Sequence, residues 1–141
     1  MNKVSMNQVV GVFTARVLIG LIFLMAGIGK VFKIGVENMY NGYFKSLMKD
    51  TFLPDFLLKA TAYYTSYIEL IAGALLVMGL FRDYALYALA SVLIIVTFGH
   101  GLAEPIWDIG GVVMRSILLI TVLLLPKAWD QWTLDHKLLK R

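Results

Sequence analysis

The chain is 141 residues long, 60% hydrophobic and only 16% charged, with a mean hydropathy of +0.77 and a net charge of +4. Soluble domains lie nearer about 45–50% apolar and about 25% charged, so this composition excludes a large soluble catalytic domain and indicates a single membrane domain. Zero cysteines exclude a CxxC redox pair, a thiolate zinc site, an iron–sulfur cluster and covalently attached c-type haem.

The first apolar run, residues 9–32, is interrupted only by Arg16 and Lys30. It is too long for a signal-peptide core and has no clear small-x-small cleavage site, so it reads as a retained helix. Residues 33–59 form the one long loop. Within it Met39, Tyr43, Leu47 and Met48 recur at helical spacing, which predicts a short amphipathic interfacial helix before Pro54 breaks the chain. The second run, residues 60–81, carries Glu69 alone, and the Arg82-Asp83 turn leads into the third, residues 84–103, whose only ionisable group is His100. A loop from Glu104 to Gly111 precedes the fourth run, residues 109–126, which contains Arg115.

Each run is long enough to cross a hydrocarbon core of about 30 Å as a helix. The runs are solidly apolar rather than alternating, which excludes a β-barrel. The expected fold class is all-α: a polytopic membrane protein built as a four-transmembrane-helix bundle. Four spans put both termini and the Arg82 turn on one side. That side carries six basic residues (Lys3, Arg82, Lys127, Lys137, Lys140, Arg141) against four in the long loop (Lys33, Lys45, Lys49, Lys59). The positive-inside rule then predicts cytoplasmic termini in a bacterial or archaeal cytoplasmic membrane. The basic excess is explained by orientation, and no nucleic-acid partner is expected.

A charge deep in a membrane requires a partner or a wet cavity, so the ionisable residues are the informative ones. Arg16, Gly20, Phe23, Gly27 and Lys30 are spaced by four and three and share one stripe of the first helix, where the two glycines admit a neighbouring helix. Reckoned from the ends of the runs, Arg16 lies about 10 Å and Glu69 about 16 Å from the cytoplasmic side, which predicts a structural Arg16–Glu69 ion pair. By the same reckoning His100 and Arg115 lie at about 24 and 20 Å, near the outer rim where Lys30, Glu104 and Asp108 fall. This outer cluster is the candidate site. His100, Glu104 and Glu69 are the catalytic candidates, Lys30, Arg115 and Asp108 the binding candidates, and no metal site is expected. Each has a plainer reading as well: an interfacial side chain reaching water, or an interhelical histidine that is simply satisfied.

The ordered set Arg16, Ala26-Gly27-Ile28-Gly29-Lys30, Glu69-Leu70 with Gly73, Arg82 and Trp132-Thr133-Leu134-Asp135 resembles the DoxX family of small four-helix membrane proteins. The resemblance spans about residues 12–136. It implies a subunit associated with terminal quinol oxidase or thiosulfate:quinone oxidoreductase, and assigns the polar signature to Arg16, Lys30 and Glu69.

Two functions follow. The first is a small subunit, or a binding and assembly partner, of a larger membrane complex, with lipid and another membrane or exported protein as its partners. The second is a quinone-linked oxidoreductase subunit in which His100, Arg115 and Lys30 donate hydrogen bonds and Glu104 or Glu69 relays protons, with quinone as the only cofactor in view. A small transporter fits less well, because span one carries Arg16 where such transporters carry an acid.

Overall fold

The computed structural model describes residues 4–138, and every regular element within them is helical. Lys3, Lys140 and Arg141, which enter the orientation count, lie outside the described residues.

Helix α1 (Met6–Ile28) starts at a capping box, in which Gln8 N–H donates to Ser5 Oγ and Ser5 N–H donates to Gln8 Oε1. It continues as π-helical turns over Gly29–Ile34. The connecting segment follows in short helical pieces: α2 (Val36–Asn38), a π-helical turn (Met39–Phe44) and α3 (Lys45–Met48). Next come α4 (Asp55–Met78), α5 (Arg82–Ala103), α6 (Gly110–Leu124), a 3-10 turn (Lys127–Trp129) and α7 (Leu134–Leu138).

Among the described residues three helices are long and apolar enough to cross a membrane: Met6–Ile34, Asp55–Met78 and Arg82–Ala103. Helix α6 has 15 residues, so at 1.5 Å per residue it reaches about 22 Å, short of a core of about 30 Å. The apolar run predicted as a fourth span is thus a shorter helix, because the chain turns extended at Leu125 ahead of Pro126.

The other boundaries shift for equally local reasons. Helix α4 begins at Asp55, five residues before the predicted span, because Pro54 takes the extended N-cap position and Lys59 turns aside to Glu37. It ends early because Gly79 adopts the left-handed conformation (φ +69°) and Leu80 N–H returns to the Leu75 carbonyl, closing a Schellman turn. The predicted interfacial helix is a broken helical segment that folds back on the bundle. Its Tyr40 and Met48 are buried and cluster with Leu58 and Ala62 of α4.

The main core joins Ile19 and Phe23 of α1, Ala72 and Leu76 of α4, Leu86, Leu89 and Leu93 of α5, and Leu119 and Val122 of α6. Large apolar side chains such as Met25, Ile71, Ile94, Phe98, Met114 and Ile117 point outward. A membrane protein shows this inside-and-outside hydrophobicity because lipid solvates its outer face.

Candidate functional site

The predicted small-residue stripe on α1 is the closest crossing in the molecule. A Cβ placed on Gly27 would lie 2.4 Å from the backbone nitrogen of Leu70, and one on Gly73 would lie 2.4 Å from that of Leu24. Helices α1 and α4 therefore meet backbone to backbone, and this contact sets their register. It brings Lys30, from the π-helical turns, to Glu69: Nζ and Oε2 are 2.7 Å apart, with Glu69 buried and Lys30 about one-fifth exposed.

The predicted Arg16–Glu69 pair does not form. Gly27 opposes Leu70, so Glu69 stands level with the C-terminal end of α1, whereas Arg16 lies eleven residues nearer the N-terminus, about 16 Å along the axis. Depths reckoned from the ends of the apolar runs fail because α1 and α4 are not flush.

Arg16 serves the opposite end of the bundle, fully buried. Its Nη1 donates to the carbonyls of Leu76 and Val77, its Nη2 to the Trp132 carbonyl at 2.8 Å, and its Nε to Asp130 Oδ1 at 3.1 Å. The first two belong to the last turn of α4, where the Leu76 carbonyl also accepts from Gly79 N–H at 3.2 Å. Arg82 does the same for α6, donating to the carbonyls of Val122 and Leu125. Its Nε lies 3.8 Å from Asp130 Oδ2, so one buried carboxylate bridges two buried arginines. Asp135 completes the latch, accepting from Phe81 N–H at 2.7 Å while its own N–H donates to the Gly79 carbonyl. Arg82 and Asp130 also line a recess of about 540 Å³ with Asp83, Lys127 and His136.

Sequence reasoning missed Asp130 and assigned Arg82 to a turn only. A signal was present: the last turns of α4 and α6 leave carbonyls that require donors, and an acid follows closely on the final apolar run.

The five residues predicted to gather at the outer rim occupy five separate places. Lys30 is held by Glu69. His100 turns to the connecting segment: Nε2 lies 2.8 Å from the Tyr43 hydroxyl, Nδ1 lies 2.9 Å from the Val96 carbonyl, and the ring stacks on Trp107 at 4.7 Å. Glu104 caps α5 through its backbone, and Asp108 accepts from Gly110 N–H at the start of α6; both side chains are exposed. Arg115 places its guanidinium 5.9 Å from the centre of the Phe23 ring. Among the described residues no carboxylate lies within ion-pair distance of Arg115, and no hydrogen bond or ion pair links His100, Glu104, Asp108 and Arg115 to one another. They form no single polar site because they lie on helix faces that point to different neighbours.

His100 borders an apolar cavity of about 350 Å³ between the connecting segment, α4 and α5. Elsewhere on the connecting segment, Glu37 accepts from Lys59 at 3.0 Å and from Tyr63 at 2.9 Å, and these bonds, the one from Lys59 first, hold its carboxyl below the ordinary carboxylate value.

A family model described as methylamine utilisation protein MauE matches residues 8–107, which contain α1, the connecting segment, α4 and α5. The chain belongs to the MauE family. No curated protein and no solved structure matches it. Membership in MauE overturns the resemblance to DoxX. The residues that suggested DoxX do work that any small helical membrane protein needs: glycines that let α1 meet α4, arginines that cap helix ends, and a tail aspartate that closes a turn. Residues chosen for such work do not by themselves identify a family. With three membrane-length helices, this MauE protein is an integral membrane protein.

Proposed function

We propose that this MauE-family protein is an accessory subunit of a larger membrane assembly, serving methylamine utilisation as its family's name indicates, and that it receives an acidic transmembrane segment of a partner against α6. One observation carries this reading. Every other arginine or lysine within the membrane-length helices and α6 that lies against the core has a carboxylate: Arg16 and Arg82 have Asp130, and Lys30 has Glu69. Arg115 has only the face of Phe23 among the described residues.

An arginine at that depth, about 8 Å into α6, is costly unless a counter-charge is supplied. On the side of α6 nearest it, Gly111 and Met114 are exposed and Leu118 is half-buried, which makes an apolar outward flank. A partner helix bearing Asp or Glu would satisfy both the charge and the apolar surface. It would also complete a bundle in which α6, seated in the membrane with the three longer helices, is the fourth.

The test is the size of the assembly solubilised from native membranes. Arg115→Gln should reduce the chain to its own mass plus detergent, while Arg115→Lys should keep the larger complex. A complex of unchanged size in Arg115→Gln overturns the reading. Co-capture of a second, differently tagged copy as the only protein in the complex also overturns it.

A further inference from the structure

The cavity beside His100 is independent of Arg115 and of the tail latch. It is bounded by Phe44, Leu47, Met48, Leu58, Ile95 and Phe98, and its polar edge is made by Tyr43, Thr61 and His100. A volume of about 350 Å³ is within the range of small-molecule sites. Ile94 and Phe98, which also line it, are 70% and 60% exposed on the outward flank of α5, so the cavity opens toward lipid.

The hydrogen bonds at its edge have a fixed direction. A carbonyl can only accept, so His100 Nδ1 carries a proton and donates it to Val96 O. In the neutral ring Nε2 is then the acceptor, and the Tyr43 hydroxyl must donate to it. The tyrosine proton is thereby committed, and what Tyr43 still offers is the lone pairs on its oxygen. A ligand carbonyl would have to take that proton from His100, whereas a ligand hydroxyl can donate to the tyrosine oxygen without disturbing anything. Among the described residues no Lys, Arg, Asp or Glu lines the cavity. A phosphate or carboxylate head would be buried there without a counter-charge, which disfavours phospholipids and fatty acids.

We infer that the cavity is a binding site for an uncharged membrane amphiphile with a hydroxyl on its head group and an apolar tail, the hydroxyl donating to Tyr43 Oη and the tail lying among Leu47, Leu58 and Phe98. Two sources share this chemistry, long-chain alcohols and phenolic isoprenoids of the hydroquinone type, and the experiment separates them.

The intact protein in nanodiscs of saturated phosphatidylcholine is photolabelled with a diazirine-bearing dodecanol, and the labelled peptides are mapped. Label should concentrate in residues 43–58 and 94–100. Unlabelled dodecanol should compete about three- to tenfold better than dodecyl methyl ether, the ratio expected for one hydrogen bond. Decyl hydroquinone is the parallel arm: stronger competition than dodecanol assigns a phenolic ligand, weaker an aliphatic one. Tyr43→Phe combined with His100→Phe, which removes the tyrosine oxygen and the imidazole acceptor behind it, should bring the alcohol down to the level of the ether. Equal competition by alcohol and ether in the unmutated protein overturns the inference and requires no variant to fold. An alcohol-to-ether ratio unchanged by the double variant, or label spread evenly over the outward faces, also overturns it.

Discussion

Asp130→Ala is the sharpest perturbation of the folded state. The Asp130 carboxylate lies 3.1 Å from Arg16 Nε and 3.8 Å from Arg82 Nε, and all three side chains are buried. At an effective dielectric constant of about 20, these contacts correspond to gross attractions of roughly 5 and 4 kcal/mol. Burying the carboxylate offsets several kcal/mol of that sum. Removing it leaves buried Arg16 with no carboxylate and Arg82 with Asp83 alone, 3.9 Å from its Nε, and the expected net loss is about 3–5 kcal/mol. Both arginines keep their bonds to helix-end carbonyls, so the protein should still insert. The loss is read by denaturant unfolding in one detergent at matched chain concentration, with proteolysis of residues 129–137 as a local reporter. Asp50→Ala is the control, because Asp50 is exposed and pairs only with the exposed Lys49, at 4.0 Å; it should cost less than about 1 kcal/mol. If Asp130→Ala unfolds within about 0.5 kcal/mol of the parent, the reasoning that one carboxylate holds both arginines is refuted.

Three further outcomes are expected. Lys30→Met alone should destabilise by about 3–5 kcal/mol because it leaves Glu69 buried without a cation, whereas Lys30→Met combined with Glu69→Met should recover most of that loss; a double variant no better than the single contradicts the pairing. Gly27→Ala should cost about 1–3 kcal/mol by forcing α1 from α4, while Gly11→Ala, where a Cβ meets nothing within 4 Å, should be neutral or stabilise by up to about 1 kcal/mol; equal effects contradict the tight crossing. Because the carboxyl of Glu37 is held below its ordinary value, its bonds should stabilise the connecting segment at neutral pH and above the ordinary carboxylate range, and be lost as pH falls through the lowered value. Protease accessibility of residues 36–48 should rise on acidification, and Glu37→Gln should flatten that dependence.

The helices were legible in the sequence because long apolar runs with so few charges have one solution in lipid, namely helices with internally paired backbones. The stripe holding Gly20, Gly27 and Lys30 was legible for the same geometric reason, since spacings of three and four fix a face without knowledge of the partner. What stayed hidden depends on relative depth. Periodicity says which face Glu69 occupies but not how far α4 slides along α1, and that slide decides between Arg16 and Lys30 as its partner. Asp130 was hidden because its tail makes a short 3-10 turn and a bend, with no period to read. Tyr43 was recognised as part of an amphipathic pattern, but its bond to His100 depends on the connecting segment folding back on the bundle, which the pattern does not encode. The resemblance to DoxX misled because it rested on residues chosen by membrane packing and helix-end chemistry.

The most direct test of the central claim exploits the absence of cysteine. A cysteine at Met114, which is outward-facing on the side of α6 nearest Arg115, carries a single photocrosslinker into native membranes. The account predicts a crosslink to a membrane segment that contains an aspartate or glutamate, lost in Arg115→Gln and kept in Arg115→Lys. Crosslinks to lipid alone, or protein crosslinks that persist unchanged in Arg115→Gln, would contradict it.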